Sequence, residues 1–207
     1  MDFWNQFIKK WRYDGSEPKE IVVELANYLQ KPSLVLDTGC GRGRHLSYLS
    51  DNGCVTVATD VSSDAINHCK SKLRRDKKNI YFVWNDMTNL CFQSDIFDAA
   101  IATNSLHHNN ISGIRKSINE IYRVLKPYAW LAATVASTSI AFRNGIEIEE
   151  NTFIRESKGK AEMQHFFTER EIKLLLRRFK IIKLYEARNT SKEDTAGHWN
   201  ILAQKRV

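Results

Sequence analysis

Short apolar runs alternate with segments of helical spacing along most of the chain. The apolar runs predict seven strands: Leu34–Leu36, Cys54–Asp60, Ile80–Trp84, Phe97–Thr103, Tyr128–Val135, Lys180–Tyr185 and His198–Lys205. Helices are predicted at Arg44–Ser50, Asp64–Arg75, Ile111–Leu125 and after Thr168. This alternation is typical of a doubly wound α/β fold, in which a mostly parallel sheet carries helices on both faces. No helix separates the last two strands, so the last strand is predicted to run antiparallel.

Two stretches depart from this alternation. Residues 1–30 place apolar side chains at helical spacing and predict an N-terminal helical arm, whose aromatic residues, Tyr13 among them, are candidates to cover a ligand. Residues of about 136–166 show no clear period and predict an irregular insertion after the fifth strand. The chain contains no linker, repeat or low-complexity tract, so residues 1–207 are predicted to form a single domain.

The stretch Leu34–His45 brings an apolar strand, a glycine-rich turn and a helix start together. Gly39, Gly41 and Gly43 lack the Cβ atoms that would keep a ligand away from the backbone. In α/β folds, a turn of this kind after a buried strand is typical of a nucleotide site. The sequence therefore predicts that a nucleotide or nucleoside binds here.

The charges beside this turn indicate which nucleotide binds. The dinucleotide fingerprint G-x-G-x-x-G is met imperfectly, because the third glycine comes one residue early and Arg44 stands at the matching position. Asp37 would repel a pyrophosphate but attract an ammonium group, and the following helix start suits a carboxylate. A zwitterionic nucleoside without phosphate meets both conditions, which predicts S-adenosylmethionine. The alternative, a nicotinamide-dependent oxidoreductase, is disfavoured by Asp37.

Carboxylates also follow the second and third predicted strands. Asp60 lies about 20 residues after Gly39, near the position where a mononucleotide fold places the acid that binds the ribose hydroxyls. Val61, directly after it, is included among the predicted cofactor-binding residues. Asp86 is predicted to accept a hydrogen bond from the adenine amino group, and Met87 to flank the adenine ring.

The motifs together resemble the class I S-adenosylmethionine-dependent methyltransferases over residues 30–135, with a similar tail at 160–207. The resemblance is carried by Leu34–His45 as the first motif, Asp60 as the ribose acid, Asn85–Met87 as the adenine clamp, Phe97–His108 as the fourth motif and Tyr122–Pro127 before the fifth strand. It implies the sheet order 3-2-1-4-5-7-6, S-adenosyl-L-methionine as cofactor and S-adenosyl-L-homocysteine as product. It also implies a cofactor-binding role for Asn104. One departure is Tyr128, because the family usually has glycines after the proline.

Histidines near the predicted loop ends are candidates for a general base, which is needed only if the methyl acceptor must lose a proton. His107 and His108 follow the fourth strand, His165 precedes the last helix and His198 opens the last strand. We predict that His107, His165 and His198 contribute to catalysis. Their spacing and that of the cysteines match no metal-binding pattern, so no metal is predicted.

The resemblance also bears on the acceptor. Similar family members often form the substrate pocket from the insertion after the fifth strand, which predicts a small-molecule acceptor under a cap at about 136–166. Transfer RNA is the alternative, because Asn104–Pro127 also resembles the wobble-uridine methyltransferases and the chain carries a net charge of +7. A non-catalytic cofactor-binding subunit is a lower-ranked alternative.

Other features of the sequence bear on its location. No apolar run approaches the roughly 20 residues that span a bilayer, and the first residues lack the basic and apolar regions of a signal peptide. The four cysteines contain no C-x-x-C pair. We therefore expect a cytoplasmic protein with reduced thiols and no membrane partner.

Overall fold

The computed structural model of the protein describes residues 2–10, 17–73, 79–139, 145–157, 160–188 and 197–207. Its strands are β1 (Leu34–Thr38), β2 (Val55–Asp60), β3 (Ile80–Trp84), β4 (Phe97–Thr103), β5 (Leu125–Ala136), β6 (Ile146–Glu149), β7 (Thr152–Ser157), β8 (Lys160–His165), β9 (Phe179–Arg188) and β10 (Gly197–Lys205). Its helices are α1 (Asp2–Lys10), α2 (Glu20–Ala26), α3 (Leu46–Asp51), α4 (Ser63–Leu73), α5 (Ile111–Val124) and α6 (Glu169–Leu175). The predicted strands and helices are all present within a few residues of their expected bounds.

The main sheet holds seven strands in the order β3-β2-β1-β4-β5-β10-β9. The pairings from β3 to β5 are parallel, and β10 runs antiparallel to both β5 and β9. The predicted sheet order and the antiparallel last strand are therefore confirmed. Asp37 of β1 stands beside Ala58 of β2 and Ile101 of β4, so the carboxyl ends of these three strands meet at one edge of the sheet.

Apolar side chains from β4 pack on both faces of the sheet, because successive residues of a strand point to opposite sides. Ala100 and Ala102 join a core formed with α5 and α6, whereas Ala99 and Ile101 join a core formed with α2. The two cores confirm that helices cover both faces. They hold the strand ends rigidly, and the loops that follow those ends are the ones predicted to bind the cofactor.

The insertion at about 136–166 is more regular than the sequence predicts. Strands β6, β7 and β8 form a separate antiparallel sheet of three strands, called the small sheet below. Asn151 turns the chain between β6 and β7 with a φ of 58°, a left-handed conformation that asparagine tolerates better than most residues. The prediction of an irregular insertion is therefore wrong, because backbone pairing in a hairpin needs only weak side-chain periodicity.

The fifth strand of the main sheet begins earlier than predicted, at Leu125, and α5 ends at Val124. Pro127 disfavours helical backbone at the residue before it, so the chain becomes extended here. The pairing of β4 with β5 shifts register at this point, and Tyr128 has a φ of 62°. Tyr128 thus adopts the left-handed conformation at a position where the resembling family usually has glycine.

The N-terminal arm contains the two helices α1 and α2, as predicted for residues 1–30. Ile21, Val22 and Leu25 of α2 are fully buried against the main sheet. Tyr13, the predicted ligand-covering residue, lies outside the described residues. None of the helices in the described ranges is both long enough and apolar enough to cross a bilayer.

Candidate active site

The turn after β1 has the left-handed backbone that its glycines permit. Gly39, Gly41 and Gly43 have φ values of 72°, 53° and 78°, which other residue types adopt only with strain. The N–H groups of Gly39 and Cys40 both donate to the carbonyl oxygen of Thr59, at 2.8 and 3.0 Å. These bonds anchor the turn to β2, so its remaining backbone groups are held in place at the sheet edge.

Two of these glycines also allow close packing of neighbouring side chains. A Cβ added at Gly39 would lie 2.5 Å from Cβ of Ser105 and 3.2 Å from Cε of Met87. A Cβ added at Gly43 would lie 3.0 Å from Sγ of Cys69 on α4. The glycines therefore bring the loops after β3 and β4 and the helix α4 close to the turn, as well as leaving its backbone bare.

Asp37 lies on β1 just before this turn and is 1% exposed. Its Oδ2 atom has no hydrogen-bond partner among the described residues, and the nearest basic atom is Nδ1 of His45, 3.7 Å away. A buried carboxylate oxygen without a partner is costly. The position suits a ligand that brings a positively charged amino group, as the sequence predicts.

Asp60 ends β2 and holds the turn from the other side. Its Oδ2 accepts from the N–H of Gly41 at 2.9 Å, and its Oδ1 accepts from the N–H of Ser62 at 2.8 Å. Burial raises the pKa of Asp60 above its usual 3.8, which these two N–H groups partly oppose. Each oxygen can accept a further bond, so hydroxyl donors of a ribose fit here. The carbonyl oxygen of Val61 accepts from Nε1 of Trp84 at 2.8 Å.

The residues predicted to hold the adenine lie at the same edge. Asp86 is exposed, and its Oδ1 accepts from the N–H of Thr88 at 2.8 Å. Met87 reaches the turn at Gly39. Asn104, with a φ of 52°, accepts at Oδ1 from the hydroxyl of Thr134 at 2.7 Å. Asn104 thereby links the ends of β4 and β5.

Helix α1 lies across three parts of this edge. Nη1 of Arg42 in the turn donates to the carbonyl oxygen of Ile8 at 3.0 Å. The side chain of Asn5 accepts from the hydroxyl of Ser62, before α4, at 2.7 Å. The ring of Trp4 meets that of His108 edge to face, with centroids 4.6 Å apart. The helix therefore connects the predicted cofactor side of the site with the loop after β4.

Three histidines meet beyond the end of β4. The ring centroid of His107 lies 4.3 Å from that of His108 and 6.0 Å from that of His198. Nδ1 of His107 accepts from the N–H of Ala136 at 3.2 Å, which places the ring proton on Nε2. Burial lowers the pKa of His107 well below 6.5, and repulsion from His108 adds to this. His107 is therefore neutral at pH 7 and presents a donor rather than the predicted base.

His165 does not join this group through its ring. It is 1% exposed, its Nδ1 lies 2.6 Å from the hydroxyl of Thr152 and its Nε2 lies 3.0 Å from Oε2 of Glu171. The backbone N–H of His165 donates to the backbone carbonyl oxygen of His107 at 2.7 Å. Both ring nitrogens are thus occupied, so the structure argues against the predicted catalytic role for His165. The residue instead holds β8 between α6 and the loop after β4.

The small sheet contributes site residues that the sequence interpretation did not identify. Glu162 on β8 is 6% exposed; its Oε1 lies 3.4 Å from Nδ1 of His108, and its Oε2 accepts from Nε of Arg155 at 3.2 Å. Gln164, two residues on, is 7% exposed. In the sequence, the polar residues Glu162 and Gln164 stand on either side of Met163. This period of two is the signal that predicts a strand with one polar face.

Comparisons with known proteins agree with this geometry. Residues 35–128 match a family model described as a methyltransferase domain. A solved structure of an S-adenosylmethionine-dependent methyltransferase from Methanosarcina mazei has a TM-score of 0.80 and 25% identity, covering 92% of this chain and 99% of that one. The matched residues and the shared fold indicate a class I S-adenosylmethionine-dependent methyltransferase.

Two curated relatives of the chain differ in what their names say they act on. A tRNA (carboxymethyluridine(34)-5-O)-methyltransferase from Arabidopsis thaliana is 32% identical over 108 residues, which are 52% of this chain and 25% of the relative. A demethylmenaquinone methyltransferase from Clavibacter sepedonicus is 36% identical over 93 residues, 45% of this chain and 37% of the relative. The chain thus spans well under half the length of either relative.

A metal centre needs several ligands that converge on one point. Among the residues that the structure describes, no group of three or more histidine, cysteine, aspartate or glutamate side chains is placed to hold a metal ion. The ring of His107 is tilted by 59° against that of His108 and by 53° against that of His198.

The burial of His108 predicts a pH-dependent stability. Burial lowers the pKa of His108 from 6.5 to about 4, and Glu162 only partly opposes this. Between these two values the unfolded chain binds a proton that the folded protein does not, so stability is lost as the pH falls. We expect the free energy of unfolding to drop by about 2–3 kcal/mol from pH 7 to pH 4 through this residue. Urea denaturation across that range measures the drop.

The matched variant for this prediction is His108→Gln, which keeps a polar side chain but does not titrate. Its free energy of unfolding should fall less steeply over the same pH range than that of the wild type. His107 titrates in the same direction, so some slope should remain in the variant. An identical slope in both proteins would contradict the assignment to His108.

Proposed function

We propose that the protein transfers the methyl group of S-adenosylmethionine to a small-molecule acceptor. The observation that carries the cofactor half is the buried, unpaired Oδ2 of Asp37 beside a left-handed glycine turn. A phosphate group would be repelled there, whereas the amino group of a methionine moiety would satisfy the oxygen. The residues present therefore fit this cofactor.

Each part of the cofactor has a proposed set of partners. Asp37 binds the amino group, and the bare backbone of the glycine turn lies along the methionine moiety. Asp60 accepts hydrogen bonds from the ribose hydroxyls through the acceptor positions that Gly41 and Ser62 leave open. Asp86 and Met87 flank the adenine, and Asn104 at the end of β4 completes the proposed set of cofactor-binding residues.

When bound, the cofactor supplies a methyl group activated by a positively charged sulfur. The protein's task is then mainly to hold the acceptor in line with that methyl group, and good orientation of this kind is worth about 7–11 kcal/mol. His107 is suited to donate from Nε2 to an acceptor oxygen or nitrogen and so fix its position. His198 remains the candidate base if the acceptor must lose a proton.

The proposal of a small-molecule acceptor rests on how the site is enclosed. The ring of His108 packs against Trp4 of α1 and lies beside Glu162 of β8, and the ring of His107 lies 4.3 Å from it between centroids. His107 is 3% exposed, so an acceptor that reaches it must enter a narrow space. A small molecule meets this condition most simply. The demethylmenaquinone methyltransferase among the relatives acts on an acceptor of this class, according to its name.

Transfer RNA is a second candidate acceptor. The tRNA methyltransferase of Arabidopsis thaliana is 32% identical over 108 residues, and the chain carries a net charge of +7. A nucleotide acceptor would have to leave its stack to reach the histidines. Binding of RNA with a steep loss of affinity at higher salt would support this candidate.

The deciding experiment uses methyl-labelled S-adenosylmethionine. The purified protein is incubated with fractionated cell extract, with and without ribonuclease, and a parallel reaction contains excess S-adenosylhomocysteine as control. We expect label in the small-molecule fraction, unchanged by ribonuclease and suppressed in the control. Label in a ribonuclease-sensitive fraction would favour RNA. Cofactor binding without any transfer of label would favour a non-catalytic subunit.

A further inference from the structure

The face of β8 that carries Glu162 and Gln164 contains a buried polar atom without a hydrogen-bond partner among the described residues. The two side chains point to the same side of the strand because they are two residues apart, which places them about 7 Å from each other. Glu162 contacts His108 at 3.4 Å, so this side of β8 faces the loop after β4. Gln164 therefore points into the region where the methyl acceptor is proposed to bind.

The side-chain oxygen of Gln164 is buried and has no hydrogen-bond partner among the described residues. Buried amide oxygens are nearly always hydrogen-bonded in folded proteins. An oxygen that loses its hydrogen bonds to water on burial and gains no new partner destabilises the fold. Ligands and ordered waters are the usual partners of such atoms at binding sites. The unpaired oxygen is thus an independent indication that something binds here with a donor group.

The charges around Gln164 restrict the chemical class of that ligand. Arg155 donates to Glu162 at 3.2 Å and balances its charge, while burial keeps His108 neutral at pH 7. The side chains around Gln164 therefore carry no net charge and favour neither a cationic nor an anionic ligand. What it offers is acceptor oxygens, which favour a neutral ligand with an N–H or O–H group.

Aromatic rings line the same region. Trp4 packs edge to face on His108. Phe153 of β7 stands beside Gln164 in register and is 8% exposed. Rings of this kind favour a flat aromatic ligand by stacking and edge contacts. We propose that Gln164, with Glu162 beside it, binds the N–H or O–H group of a neutral aromatic methyl acceptor and so determines acceptor specificity.

This inference rests on the proposed small-molecule activity and adds the acceptor's class to it. The hydrogen bond positions the acceptor; the acceptor keeps its proton in this interaction, and no covalent step at Gln164 is involved. Gln164 is accordingly a specificity-determining residue, whereas His107 and His198 face the acceptor from the loop after β4 and from β10.

The test compares paired aromatic probes that differ in one donor: phenol with anisole, and indole with N-methylindole. Binding is measured by ligand-observed NMR on protein saturated with S-adenosylhomocysteine, for the wild type and Gln164→Met. We expect the wild type to bind the donor member of each pair about fivefold more tightly, the value of one neutral hydrogen bond. Gln164→Met should bind both members about equally.

Gln204→Met is the matched control, because it makes the same change far from the proposed acceptor site. Gln204 lies near the end of β10, where it pairs with Trp130 near the start of β5. This control should keep the wild-type preference. Gln164→Leu serves as a second variant should the methionine side chain alter the fold. Calorimetry of S-adenosylhomocysteine on every variant checks the cofactor site separately, so loss of the proposed activity is distinguished from failure of the acceptor subsite.

Three results would overturn the inference. The wild type binding both members of a pair equally, or binding neither, would show that no donor is recognised. A preference that survives in both Gln164 variants would assign recognition to another group. A higher Tm in Gln164→Met with an unchanged preference would mean that Gln164 meets only water.

Discussion

Replacing Gly39 with alanine is expected to remove measurable binding of S-adenosylhomocysteine and to destabilise the protein by about 2–5 kcal/mol. Two costs add at this position. The new side chain must adopt a φ near 72°, and its Cβ would lie 2.5 Å from that of Ser105. Either the turn or the loop after β4 must move, and both contribute to the proposed cofactor site. Isothermal calorimetry and urea denaturation measure the two effects.

Gly53→Ala separates these costs. Gly53 has a φ of 77°, but a Cβ there would only approach the flexible side chain of Lys31 at 3.4 Å. This variant should lose about 1–2 kcal/mol of stability from the left-handed backbone alone and bind cofactor normally. If Gly39→Ala behaved like Gly53→Ala in both assays, the close approach to Ser105 would have no functional importance.

The second large effect is expected at Asp37. Asp37→Asn keeps the shape of the side chain but removes the charge proposed to bind the amino group of the cofactor. Hydrogen bonds to charged groups are worth about 1.5–3 kcal/mol, so affinity for S-adenosylmethionine should fall by about 10- to 100-fold. The variant without cofactor should be at least as stable as the wild type, because a buried, unpaired charge has been removed.

Asp98→Asn provides the comparison for Asp37→Asn. Asp98 accepts from the N–H of Leu34 at 2.8 Å and from Lys126 at 2.7 Å, at the amino ends of β1 and β5. Its loss should reduce stability slightly and leave cofactor affinity unchanged. Equal cofactor affinity in wild type and Asp37→Asn would refute the role assigned to Asp37, and with it the electrostatic argument for the cofactor.

The parallel half of the fold was predictable because its signals are local. Buried parallel strands are continuous apolar runs, and Leu34–Leu36 followed by three glycines leaves few alternatives to a strand and a tight turn. The same holds for Asp60, whose place at a strand end follows from the chain order. The structure puts these residues together at one edge of the sheet.

The acceptor side was predicted less well because its contacts join distant parts of the chain. The sequence of Ile146–Glu149 alternates apolar and acidic residues, as a strand does. The signal is weak because the run is only four residues long and belongs to a short hairpin on the surface. His165 resembles His198 in the sequence, since each lies near a loop. Only the fold shows that Thr152 and Glu171 occupy both ring nitrogens of His165.

Tyr128 shows how a residue other than glycine can be accommodated in a left-handed conformation. It stands after Pro127, where the family usually has glycine, and adopts a φ of 62°. Its side chain is 64% exposed, and its carbonyl oxygen accepts from Gln204 at 3.0 Å. Room for the side chain in solvent and this bond from β10 explain why the turn keeps its shape.

The position of α1 bears on how fast the products leave. Arg42, Ser62 and His108 each contact this helix, so both ligands of the proposed reaction would lie partly beneath it. A helix of nine residues is marginal by itself, and these contacts are what retain it. If the spent cofactor leaves only after the helix detaches, the rate of detachment sets an upper limit on turnover.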